Sequence, residues 1–172
     1  MIAQLVLAND NISLYDIYVM RRSITSADYE SLAELRYQIR RFLHFSEEAA
    51  RKVAIEPAQH QLMLALKGLP MGTRPTIAIL AERLQIRHHS TVELTNRLAA
   101  GGYVRRHRDG DDHREVLLSL TSKGEKVLRE LSLIHEAELR VRGPALIAAL
   151  KLAMRAGKGA IATKATAKRK RR

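Results

Sequence analysis

Between residues 87 and 114 the chain strings together side chains suited to hydrogen bonding and to neutralising phosphates. Arg87, His88, Ser90, Glu93, Asn96 and Arg97 fall mostly on the outward side of an amphipathic segment, with His89 among them, while Thr91, Leu94, Thr95 and Leu98 fall inward. Such side chains can meet base edges or phosphates in a major groove about 12 Å wide, which admits one helix. Arg105, Arg106, Arg108 and Arg114 follow on a second stretch, where guanidinium groups suit phosphates or a narrow minor groove of negative potential. The chemistry is therefore non-covalent recognition of double-stranded DNA. Covalent catalysis lacks its constellations: there is no Gly-rich phosphate loop, nucleophile elbow or metalloprotease helix motif.

These side chains need rigid elements to hold them. Ile77, Leu80, Ala81 and Leu84 recur at helical spacing and predict a short helix. After Gln85-Ile86-Arg87 a second helix is predicted from about His88 or His89 to Ala100. Two helices joined by so short a turn cross steeply, and the second projects as a probe. Gly101-Gly102 ends it, because glycine takes left-handed dihedrals without steric cost. Residues 103–108 and 114–120 then predict a hairpin about the turn Asp109-Gly110-Asp111-Asp112. Thr121 or Ser122 can cap the next helix, Ser122 and Glu125 having capping-box spacing.

Here the chain resembles the MarR (multiple antibiotic resistance regulator) transcription factors. The resemblance is carried by LAERL at 80–84, RLAAGGYVRR at 97–106, DGDDHREVLLSLT at 109–121 and KGEKVL at 123–128, and extends less specifically over roughly 29–155. Asp112 and Arg114 fall at the family's wing Asp-x-Arg. It implies a homodimeric winged-helix DNA-binding protein, usually a repressor, whose affinity is often lowered by a small aromatic or phenolic ligand. His89 and Glu93 depart from the family's usual small residue and Arg or Thr. An acidic side chain facing DNA can accept from a cytosine amino group, so Glu93 is expected either to contribute to sequence choice or to pair with Arg97, four residues on.

The formal charge of +12 looks like a nucleic-acid signature, but nine of the 30 Lys and Arg lie in residues 151–172, which hold no acid. The remaining 150 residues carry only +3, so the DNA reading rests on the pattern at 76–121. Aromatics make up 4% and Trp is absent, which suits aliphatic helix packing. The absence of Cys excludes disulfides, zinc-cysteine sites and thiol-based sensing. No apolar run approaches the ~18 residues of a membrane span, and the N-terminus lacks the features of a secretory signal, which predicts a cytoplasmic protein with no membrane partner.

The predicted fold is mainly α with a small β-wing, a winged helix-turn-helix on a helical dimerisation platform. Residues 1–24 form an arm of ambiguous structure, 25–56 a dimerisation helix, 57–121 the DNA-binding domain, 122–155 C-terminal dimerisation helices and 156–172 a disordered basic tail. The first long helix carries Leu32, Leu35, Ile39, Phe42, Ala49 and Val53 at three-four spacing, with Ser46 the one polar interruption. It starts at Thr25 or Ser26 and ends at Glu56-Pro57. A helix over 57–68 buries Leu62, Met63, Ala65 and Leu66. After the wing, a helix over 122–140 is broken by Gly143-Pro144 and a last one spans 145–154. These stripes are wider than one small domain can cover, which predicts a two-fold dimer whose two probes read a palindromic site.

Tyr37, His44, Phe45, His60 and Leu64 are candidates for a pocket taking a small effector, since a polar group in an apolar cleft can orient a phenol or carboxylate. The alternative is a structural histidine. No cofactor or metal is expected: His88 and His89 are about 100° apart around a helix and cannot easily share an ion, and the His107–His113 stretch already serves as a turn. A sequence-indifferent architectural protein driven by the basic tail is the alternative function, and an enzyme the remote one.

Overall fold

The computed structural model describes residues 23–109 and 112–156, and at 109, 112–115 and 156 it describes the backbone only. Along the chain come α1 (Ser26–Lys52), α2 (Pro57–Lys67), α3 (Ile77–Leu84), α4 (His88–Ala100), β1 (Val104–Asp109), β2 (Asp112–Leu120) and α5 (Ser122–Ala156). The fold is mainly helical with a two-stranded antiparallel wing, as the sequence predicts. The arm at 1–22 and the tail at 157–172 lie outside the described residues.

Cap chemistry explains where the helices begin and end. Thr25 starts α1: its backbone N–H and hydroxyl both donate to Asp28 Oδ2 at 2.9 Å, and the Asp28 N–H donates back to Thr25 Oγ1 at 3.3 Å. The helix stops at Lys52, short of the Glu56-Pro57 boundary predicted for it. Ala54 takes a left-handed φ of 57°, while the Ile55 N–H reaches Ala50 O at 3.0 Å and the Ala54 N–H reaches Arg51 O at 3.0 Å. This double closure is a Schellman turn built without glycine, sealed by the burial of Ala50 and Ile55. Glu56-Pro57 opens α2 instead, with a capping box between Glu56 and Gln59.

At the other end, Gly143-Pro144 does not break the chain into two helices, since α5 runs through Pro144. A proline in a helix removes one N–H and clashes with the Cβ of the residue before it. Gly143 has no Cβ, so that clash is absent, and α5 bears the lost N–H and the crowding of the Arg140 carbonyl by the ring. The Ser122–Glu125 capping box is not formed either: Thr121 is the cap, its Oγ1 accepting from the Gly124 N–H at 3.1 Å, and Glu125 turns to Lys67.

The contacts divide the chain into two compact units, residues 40–143 and residues 1–39 with 144–172. The first has a continuous core of Ala50, Ile55, Leu62, Met63, Leu66, Leu80, Leu98, Val104, Leu118 and Leu128. Each of the larger side chains, the Val, Ile, Leu and Met, contributes roughly 1.5–3 kcal/mol on burial, so this core holds α2, α3, α4 and the wing as one body. In the second unit Asp28, Ser31, Gln38 and Ala149 are buried, whereas Tyr29, Leu32, Ile147, Leu150, Leu152 and Met154 stay exposed. Among the described residues no helix is long and apolar enough to cross a membrane.

Candidate nucleic-acid interface

The site grows from α3. Thr76 caps it by accepting from the Ile79 N–H at 3.3 Å, and its backbone also bridges to Leu117 of the wing. The Leu118 N–H donates to Pro75 O at 2.9 Å, so the segment before α3 lies along β2. Leu80 and Ala81 anchor α3 in the core. At its end Gln85 is left-handed at φ 55°, and the Ile86 N–H reaches back to Ala81 O at 3.1 Å. That second Schellman turn sets the direction of α4.

Thr91, Thr95 and Leu98 are buried and plant α4 against the core, the Thr95 hydroxyl donating to Thr91 O at 2.7 Å. The opposite side carries the expected polar set: Arg87, His88, His89, Glu93, Asn96 and Arg97 are exposed and Ser90 is half-buried. Arg87, the N-cap, makes no side-chain cap bond. First-turn N–H groups of α4 are thereby left for an outside acceptor, and a helix N-terminus favours a phosphate. Gly102, at φ 73°, closes α4, with the Tyr103 N–H donating to Leu98 O at 2.9 Å.

The wing pairs Val104 with Leu120, Arg105 with Ser119, Arg106 with Leu118, His107 with Leu117 and Arg108 with Val116, before the register shifts after Arg108 and Asp109 pairs with Asp112. Strand alternation puts Arg106 and Arg108 on one face and Arg105 and His107 on the other. Arg106 Nη2 donates to Asn96 Oδ1 at 2.6 Å, which ties the wing to α4. Arg105 instead donates to Ser119 Oγ at 2.9 Å on the far face. The wing arginines therefore do not act as one cluster. The side chains of Asp112 and Arg114 lie outside the described residues.

Arg97 does not pair with Glu93. Its Nη1 lies 3.3 Å from Glu56 Oε2 at the start of α2, because the turn of the helix carries it toward that element. Glu93 has no ion pair among the described residues.

The expected effector pocket is not assembled as predicted. His44 and Leu64 are exposed, as is half of Tyr37, which belongs to the other unit. Phe45 and His60 do meet, through His135, a residue the sequence reading passed over. The His135 ring stacks on His60 at 4.9 Å between centroids and meets Phe42 and Phe45 edge-on at about 6 Å. His135 Nδ1 donates to Leu131 O, a carbonyl that can only accept, and Nε2 lies 2.7 Å from Ser46 Oγ, within hydrogen-bond distance. Ser46, the polar interruption in the α1 stripe, is thus buried and satisfied. Burial, then the neighbouring His135, pushes His60 down to about 4, and its Nδ1 has no partner among the described residues. The signal that could have pointed to His135 is its place one turn after Leu131 on α5. Leu64 instead lines an open groove of about 660 Å³ with Lys67, Leu120, Glu125, Leu128 and Arg129. Among the described residues no three His, Cys, Asp or Glu are grouped to hold a metal ion.

A helix-turn-helix whose second helix stands beside an antiparallel hairpin defines the winged helix-turn-helix class. Residues 55–115, the reading head, match the family model described as MarR family. The fold extends further. The chain is similar to AbsC, a MarR family transcriptional regulator from Streptomyces coelicolor, at 19% identity and a TM-score of 0.61 over 70% of this chain and 81% of that one. It is similar to an S. aureus MepR mutant bound to an oligodeoxyribonucleotide, at 18% identity and a TM-score of 0.55 over 69% and 82%. It is also similar to an E. coli MarR mutant complexed with operator DNA, at 19% identity and a TM-score of 0.52 over 61% and 73%. No curated protein matches the chain by sequence.

Proposed function

We propose that this chain is a sequence-specific regulator of transcription that binds double-stranded DNA as a homodimer on a palindromic operator. The observation that carries the reading is α4: its inner side is locked into the core, its outer side is exposed and polar, and its first turn is uncapped. Arg87, His88, His89, Ser90 and Glu93 enter the major groove, while Arg106, Arg108 and Arg114 take phosphates or the adjoining minor groove. Arg105 and Asp112 complete the wing. The fold shared with structures of MepR bound to an oligodeoxyribonucleotide and MarR bound to operator DNA supports this assignment.

The homodimer is supported by apolar surface that one protomer leaves open, including Tyr29, Leu32, Val141, Ile147, Leu152 and Met154. Burying such side chains against a second copy removes their apolar surface from water. Repression relieved by a small aromatic or phenolic ligand is the form of the reading that the resemblance implies. The groove of about 660 Å³ supports a ligand: Leu64, Leu120 and Leu128 line it with Lys126 and Arg129, while Lys67 there is already paired with Glu125 at 2.6 Å.

The test compares binding to a selected site with binding to random duplex as salt is raised. A specific regulator prefers its site by about 10³-fold or more. Deleting residues 156–172 should lower the salt slope and general affinity and leave that preference intact. A chain that binds all duplexes alike, and loses binding with the tail, is the architectural protein instead.

A further inference from the structure

The outer stripe of α4 runs through His89, Glu93 and then Asn96 and Arg97, each three or four residues beyond the last and so on one side of the helix. Its two halves are in different states. The C-terminal half is engaged within the protein, Asn96 by Arg106 at 2.6 Å and Arg97 by Glu56 at 3.3 Å. In the N-terminal half, Glu93 is exposed and has no ion pair or hydrogen bond among the described residues. Two cations close to it in sequence, Arg97 and Arg106, are directed to other acceptors.

Resting on the reading above, we infer that Glu93 is the residue that sets base preference, by accepting from the exocyclic amino group of a cytosine in each half-site, and that Asn96 and Arg97 are positioning residues. A carboxylate carried into a groove between two phosphate strands is repelled unless it meets a donor. With no cation paired to it among the described residues, Glu93 meets that need only at a base edge, and cytosine N4 is the donor that a carboxylate accepts from in the major groove. Asn96 is a weaker candidate for reading bases, because its carbonyl is already held by Arg106. That bond fixes the wing against α4, and the Arg97 to Glu56 pair fixes α4 against α2. Both set where Glu93 sits rather than what it reads.

Because an amide has the same shape but pairs with adenine N6 and N7, Glu93→Gln should exchange one base for another rather than simply weaken binding. Sites are selected from a randomised duplex library with the full-length wild type, Glu93→Gln, Glu93→Ala, Asn96→Ala and Glu56→Gln. The wild type should enrich a palindrome with a defined cytosine in each half. Replacing that cytosine should cost the wild type about 5- to 150-fold in affinity. Glu93→Gln should enrich adenine at the same place, Glu93→Ala should leave that place undefined, and the other two variants should bind more weakly with the base unchanged. Retention of cytosine by both Glu93 variants overturns the inference while the regulator reading stands, as does a changed base in Asn96→Ala. Enrichment of no motif by the wild type overturns both.

Discussion

Gly124, in the first turn of α5, is the position where one methyl group should do the most damage. A Cβ built there lies 2.1 Å from the Tyr103 carbonyl oxygen and 3.0 Å from its carbon. Both atoms are backbone, so no side chain can swing aside, and the seam between α5 and the end of α4 must open by most of an ångström. The bonds across that seam include Thr121 N–H to Tyr103 O at 3.0 Å, Thr121 Oγ1 to Gly102 O at 2.6 Å and to Tyr103 O at 3.3 Å, and Lys123 Nζ to Gly101 O at 2.8 Å. Lys123 also sits 4.2 Å from the centre of the Tyr103 ring. Overpacking costs about 1–3 kcal/mol, and weakening two of the bonds about 0.5–1.5 kcal/mol each. Against this, alanine in place of glycine within a helix contributes about 1 kcal/mol. The strain wins, and Gly124→Ala should destabilise the protein by about 1–5 kcal/mol, a large share of the ~5–15 kcal/mol that holds a domain together. Urea unfolding followed by circular dichroism measures it as a lower midpoint at constant slope. A midpoint unchanged or raised would mean that helix propensity governs the position, and would refute the close approach on which the argument depends.

His60 makes stability depend on pH. The imidazole titrates at 6.5 when unfolded and at about 4 in the fold, so between those values the unfolded chain binds more protons and stability falls as pH falls. The loss is up to about 3 kcal/mol, complete below the folded value, and His60→Leu should flatten that part of a plot of urea midpoint against pH; an unchanged slope would assign it to other groups. Ala54, at φ 57°, predicts the opposite response to Gly124. Ala54→Gly relieves a left-handed alanine at a cost of about 0.4–1 kcal/mol from the freer unfolded chain, for a net gain of roughly 0.5–1 kcal/mol. A lowered Tm in calorimetry would count against a strained turn.

The sequence by itself determined the order of elements in the reading head, because each depends on neighbours a few residues apart. Apolar spacing marks α3 and α4, Gly102 supplies the left-handed residue that ends α4, and the alternation around Asp109–Asp112 marks the wing. The same local signals failed where a local rule had two outcomes. Gly143-Pro144 reads as a break, yet α5 continues through it. Ala54 gives no hint of a left-handed turn, which arises because closing over Ala50 and Ile55 buries both. Only the tertiary structure decided which partner each polar side chain takes. Arg97 has Glu93 four residues away and Glu56 far off in sequence, and packing of α4 on α2 brings it to the distant one. Ser46 and His135, 89 residues apart, become a hydrogen bond beside a stacked pair of histidines. Periodicity says which side of a helix faces inward; which charges meet there depends on how the helices cross, and that is set by the whole core.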